Sequence, residues 1–147
     1  MKKWLMMLVA VAVGTAAFAS EGWEMNFEKA KATAKAEGKH VLIDFSGSDW
    51  CGWCIKLDQE VFSKEEFQAY AKDNLVLVLA DFPRDKSKQS DELQQQNQKL
   101  KSEFGVRGFP TVYILDSEGT TIAKTGYEAG GPVAYVEHVK KLIAAAK

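Results

Sequence analysis

The chain has 147 residues, a formal net charge of −1 and 27% charged residues, which suits one globular domain around one hydrophobic core. No basic stretch offers an electrostatic footprint for nucleic acid, so no nucleic-acid partner is expected. Only two cysteines occur, at positions 51 and 54, too few for the multi-disulfide frameworks that staple many small exported domains.

At the N-terminus, Lys2 and Lys3 precede an apolar run over 4–13, and small residues follow up to Ala17-Phe18-Ala19. This is the layout of a secretory leader, with cleavage expected between Ala19 and Ser20. An uncleaved membrane anchor is the alternative, but the run falls short of the ~20 apolar residues that span a bilayer. The domain division is therefore a cleaved leader, 1–19, and a mature domain, 20–147, which is mildly acidic and expected to act as a monomer. Its expected location is the periplasm, with secretion as the alternative.

Phe27, Ala30 and Ala34 at helical spacing predict a first helix over 27–37, ended by Gly38. The apolar run at 40–46, interrupted by Asp44, predicts a central strand covered on both faces. After a turn at 47–50, a helix is expected from about Cys51, with Cys54, Leu57 and Val61 along one face. Ser63 and Glu66 have capping-box spacing, which predicts a break there and a restart towards Tyr70. A second buried strand is expected at 75–82. From Pro83 the chain turns polar: 84–90 reads as loop, and the rest as a surface helix carrying Leu93, Leu100 and Phe104, with a disordered low-complexity insert as the competing reading. Strands at 111–115 and 120–124 flank the turn Asp116-Ser117-Glu118-Gly119, and Pro132 opens a last helix with Val136, Val139 and Ile143 inward. The helix-joined strands should be parallel and the hairpin antiparallel. The fold class is thus α/β, a mixed central sheet with helices on both faces.

Cys51 and Cys54 sit where a strand turns into a helix. The thiolate is the reactive form of cysteine, and the unpaired N–H groups and dipole of a helix N-terminus favour negative charge. Cys51, at that start, is expected to be the exposed nucleophile. Cys54, on the inward face, is expected to be more buried and to resolve a mixed disulfide formed at Cys51. A structural bridge is a poor alternative, because so small a loop constrains little of the unfolded chain. Structural zinc needs about four ligands; there is no second cysteine pair, and His40 and His138 are isolated, so no metal is expected. Asp44, an acid in an apolar strand, should have a raised pKa unless local hydrogen bonds hold its carboxylate.

The segment Val41-Leu42-Ile43-Asp44-Phe45 followed by Trp50-Cys51-Gly52-Trp53-Cys54 resembles the strand and active-site helix of the thioredoxin superfamily. Val106-Arg107-Gly108-Phe109-Pro110-Thr111 resembles its second signature, and Gly126 falls where the family often has a glycine. More narrowly, the run 45–56 is similar to bacterial periplasmic thioredoxin-like reductases. The resemblance implies a thioredoxin-like fold with a redox-active Cys51–Cys54 disulfide and no other cofactor. It implies a cis-proline at Pro110 beside the pair, backbone of Phe109 open to an extended substrate, and Asp44 as base for the Cys54 thiol, acting through water. Trp50, Gly52 and Trp53 would contact substrate; plain shielding is the other reading of the two tryptophans. The implied activity is reduction of disulfides in exported proteins, with re-reduction by a membrane thiol–disulfide electron donor. Departures from the family include one extra residue in 46–49, Trp53 where thioredoxins often have proline, and no lysine in 75–79. Asp49 is expected to disfavour a thiolate if it acts on the pair. A disulfide oxidase or isomerase, and a non-catalytic binding module with a structural disulfide, remain as alternatives.

Overall fold

The computed structural model of the protein describes residues 22–147; the expected leader and its cleavage point lie outside them. Helix α1 (Phe27–Glu37) begins where the Asn26 side chain accepts the Lys29 N–H. It ends at Gly38, whose φ of 66° is left-handed and directs its N–H to the Ala34 carbonyl, a conformation that favours glycine. Strand β2 (His40–Ser46) follows, with Val41, Leu42, Ile43 and Phe45 fully buried. Helix α2 (Gly52–Leu57) runs into a π-helical turn, Asp58–Phe62, before α3 (Glu65–Asn74) and β3 (Leu75–Asp81).

The expected capping box does not form. The Ser63 hydroxyl donates back to the Asp58 carbonyl (2.7 Å), and Lys64 takes the position before α3 with no side-chain bond. The same Asp58 carbonyl accepts the Ser63 N–H (2.9 Å) across the π turn, so Ser63 closes the preceding helix instead of opening the next.

Beyond β3 come a short 3-10 turn at Lys86–Lys88, α4 (Asp91–Glu103), β4 (Thr111–Leu115), β5 (Thr121–Thr125) and α5 (Gly131–Ala145). A two-residue strand absent from the sequence reading, β1 (Trp23–Glu24), pairs parallel with Leu77 and Val78. The sheet order is β1-β3-β2-β4-β5. β2 and β3 are parallel, while β4 is antiparallel to both β2 and β5.

Alternation along β2 divides the core. Val41, Ile43 and Phe45 pack with Ala30 and Ala34 of α1 and Leu100 of α4. Leu42 faces Leu57, Val61 and Phe62 after the cysteines, Phe67 of α3, and Tyr135 and Val139 of α5. Asp44, two residues beyond Leu42, projects to this second face.

The polar stretch is ordered by its amides. Asn97 is buried, and its Nδ2 donates to the Asp81 carbonyl (3.1 Å). Gln94 donates to the carbonyls of Lys86 and Gln89. Gln96 accepts the Phe27 N–H (3.0 Å) and donates to the Met25 carbonyl (2.8 Å). These side chains fasten the end of β3 and the loops around it.

Candidate functional site

The turn from β2 into α2 is closed by Gly47, whose carbonyl accepts the N–H groups of Trp50 (3.2 Å) and Cys51 (2.8 Å). A Cβ on Gly47 would stand 2.4–2.6 Å from the Trp50 indole, so the ring can lie against the turn only because residue 47 has no side chain. Cys51 has extended backbone and serves as the N-cap of α2, its sulfur accepting the Cys54 N–H (3.3 Å). The two sulfurs are joined in a disulfide, with Cα atoms 5.2 Å apart.

The expected exposure of Cys51 is corrected, since it is buried at 7%; Cys54, at 3%, is the more buried of the two, as expected. In this oxidised pair the Cys51 sulfur is turned in, towards the helix start, by its bond to Cys54 and by the N–H it accepts. Position still separates them, since Cys54 lines the cavity behind the pair.

On the front, the Trp50 indole N–H donates to the Phe82 carbonyl (2.7 Å). Its ring meets Phe109 edge-on at 5.7 Å. The Phe109–Pro110 peptide bond is cis, and Gly126 passes so close that a Cβ there would be 3.3 Å from the Pro110 carbonyl oxygen. Gly52 is exposed at the start of α2, with open space beside it. Trp53, 57% exposed, rests on Tyr127 at 5.0 Å, with the Lys56 ammonium 4.9 Å from its ring centre. The Tyr127 hydroxyl donates to Glu60 (2.5 Å).

Behind the pair is a cavity of about 430 Å³ bordered by Cys54, Asp44, Asp58, Asp81 and Ser46. Asp44 is buried, and its Oδ1 has no hydrogen-bond partner among the described residues. Its pKa is pushed up to about 8 by burial first, then by the nearby charges of Asp58 and Asp81. Burial also raises Asp58. The usual relief for such a carboxylate is a cation, but its partner across the parallel ladder is Leu79. Asp81 is otherwise engaged, accepting the Ser48 N–H (2.9 Å) and hydroxyl (2.5 Å). A larger cavity, about 860 Å³, opens beside Trp23 and α3 and shares Asp58 with the first, but neither cysteine lines it, so it is not the catalytic candidate.

Asp49 is bonded to the loop after β3. Its carboxylate accepts the N–H groups of Arg84 (2.9 Å) and Asp85 (3.2 Å) and pairs with Lys88. These contacts, the Arg84 N–H first, hold its pKa below the ordinary aspartate value. With its charge committed to the loop after β3, Asp49 is a tether for the lengthened turn. The structure therefore packs Trp50, which precedes Cys51, against Phe109 of the cis Phe109–Pro110 bond, leaves Gly52 and Trp53 between the cysteines exposed, and puts Asp44 in one cavity with Cys54. Sequence reasoning missed Asp58, Phe82 and Tyr127. An acid four residues after Cys54, one helical turn on and on the same side, was the available signal for Asp58; Phe82 and Tyr127 lie in segments, 81–83 and 126–131, that resemble the family, but nothing local gave their side chains a role.

A thioredoxin-like domain is recognised over residues 27–137, so the chain belongs to the thioredoxin-like family, and with its Cys-x-x-Cys pair it is a thiol–disulfide oxidoreductase. The chain is 40% identical over 121 residues to the disulfide bond reductase DsbH of Chlamydia pneumoniae, covering 82% of this chain and 72% of that protein. A solved structure of DsbH oxidoreductase matches with a TM-score of 0.78 and 38% identity over 83% of each chain. DsbD of Yersinia enterocolitica is 30% identical over 76% of this chain, which spans only 18% of that longer protein. A thioredoxin from Thermus thermophilus, 16% identical with a TM-score of 0.63 over 84% of this chain and 88% of its own, shares the fold. No helix among the described residues is long and apolar enough to cross a membrane.

Proposed function

We propose that the protein is an exported, periplasmic reductant of disulfides in other exported proteins. The observation that carries this reading is the Cys51–Cys54 pair at a helix start, backed by a cavity holding the unpartnered Asp44 carboxylate. The 40% identity to a disulfide bond reductase supports the direction, and the expected leader supports export.

In the reduced protein the Cys51 thiolate attacks one sulfur of a substrate disulfide. The substrate S–S bond breaks, a Cys51–substrate bond forms, and one substrate thiolate leaves. Asp44 takes the Cys54 proton through a cavity water. The Cys54 thiolate then attacks the Cys51 sulfur and expels the second substrate thiolate. Two electrons pass to the substrate, and the pair ends as the disulfide described above. The cysteines hold those electrons themselves, so no further cofactor is needed, and a membrane thiol–disulfide carrier restores the dithiol. Phe109 and Pro110 would align an extended substrate, while Trp50, Gly52 and Trp53 meet its side chains.

Cells producing Cys54→Ser should accumulate mixed disulfides between Cys51 and exported proteins, and Cys51→Ser should lose insulin-disulfide reduction. Full activity in Cys51→Ser, or a strongly oxidising potential at equilibrium with glutathione, would defeat the reading.

A further inference from the structure

Beside the Phe109 flank runs a second cavity, about 590 Å³, bordered by Phe82, Pro83 and Phe109 with Lys86 and Lys101. The Phe82 and Phe109 rings meet at 5.2 Å and form an aromatic floor. The Lys101 ammonium stands over both, 5.9 and 5.8 Å from their centres. Arg84 carries positive charge onwards, its guanidinium carbon 5.6 Å from the Trp50 ring centre.

The cations here are unspent. Among the described residues neither Lys86 nor Lys101 forms an ion pair, whereas Lys88 is held by Asp49 and Lys56 by Glu60, each at 3.8 Å. The cavity's own carboxylate, Asp81, is already satisfied by Ser48. The opposite flank, at Trp53, has its lysine and its tyrosine both engaged by Glu60. Charge complementarity therefore points outwards on one side only, and that side is continuous with Phe109 and Pro110.

We infer that this groove binds an acidic, aromatic-containing segment of the substrate chain next to the cysteine under attack. The aromatic residue packs on Phe82 and Phe109 while carboxylates meet Lys86 and Lys101. The inference rests on the reductase reading for its biological meaning, but binding can be measured without turnover. The oxidised protein, its disulfide closed, is titrated with a blocked, cysteine-free peptide that sets phenylalanine among glutamates, and with a twin carrying glutamine at each glutamate. Tryptophan fluorescence or calorimetry reads the binding. The glutamate peptide should bind about three- to tenfold more tightly at low ionic strength, the range expected for two exposed ion pairs. The preference should fade near ~1 M salt, where screening is within a few ångströms.

Lys86→Gln with Lys101→Gln should abolish the preference, and Lys86→Glu with Lys101→Glu should reverse it, with circular dichroism reporting the fold of each. Equal binding of the two peptides by the unaltered protein, or a preference that survives both double substitutions, overturns the inference. A glutamate preference in a protein that fails to reduce insulin would leave the groove standing and remove the reductase reading. Reduction of insulin with no peptide preference would do the reverse.

Discussion

The two sides of the disulfide are built from opposite materials. The front is packed aromatic surface in which polar atoms find partners: the Trp50 indole reaches Phe82, and Tyr127 reaches Glu60. The back is a cavity with three carboxylates, one of them buried without a partner for Oδ1. Aromatic packing orients a partner but moves no protons. An unpaired buried acid is costly and has a raised pKa, which equips it to exchange protons near neutrality. The contrast separates holding the substrate from delivering a proton, across a pair of cysteines three residues apart.

Asp44→Asn should break the back alone and have the largest effect. Resolution at Cys54 should slow by about a hundredfold, with little change in KM, and its rise with pH towards about 8 should disappear. Stability provides a second measurement. Because folding raises the Asp44 pKa, the folded form keeps a proton that the unfolded chain gives up as pH passes the ordinary aspartate value of 3.8. Its contribution is therefore favourable at low pH and is lost as pH rises to about 8. In urea unfolding of the oxidised protein, Asp44→Asn should be about 1–3 kcal/mol more stable at high pH and close to the unaltered protein near pH 4.

Gly47→Ala should break the front alone. The new methyl overlaps the Trp50 ring, and relieving such a clash costs about 1–3 kcal/mol. With the indole displaced from the Phe82 carbonyl, Trp50 fluorescence should change and KM should rise, while the pH midpoint of resolution stays fixed. A shifted midpoint would show that the two sides are coupled. Gln96→Ala sharpens the comparison more gently. Gln96 fastens the chain at Met25 and Phe27, and Met25 walls the rear cavity. Losing those bonds should lower stability by about 1 kcal/mol, seen as a lower thermal midpoint with substrate affinity retained.

Regular periodicity made much of this fold legible. The run around Val41 to Phe45 announced a strand buried on both faces, and the spacing of Phe27, Ala30 and Ala34 announced α1, because local patterns repeat what the core demands. β1 escaped notice because two residues have no period. The glutamines of 94–96 looked like solvated surface, since nothing local says that an amide will meet a distant carbonyl. The bonds of Asp49 were hidden for the same reason: its sequence neighbour is the cysteine pair, but its hydrogen-bond partners are 35 and 36 residues away.

By itself, the sequence determined that Cys51 and Cys54 open a helix after a buried strand and that an acid interrupts that strand, while Pro110 was marked only by the family resemblance. The first two are properties of spacing and residue type, so they survive without coordinates. Only the tertiary structure decided how exposed the cysteines are, which carboxylates share a cavity with Cys54, and that Phe82 and Phe109 meet beneath Lys101. Each of those depends on chain segments that are remote in sequence and brought together by the packing of the sheet and its helices.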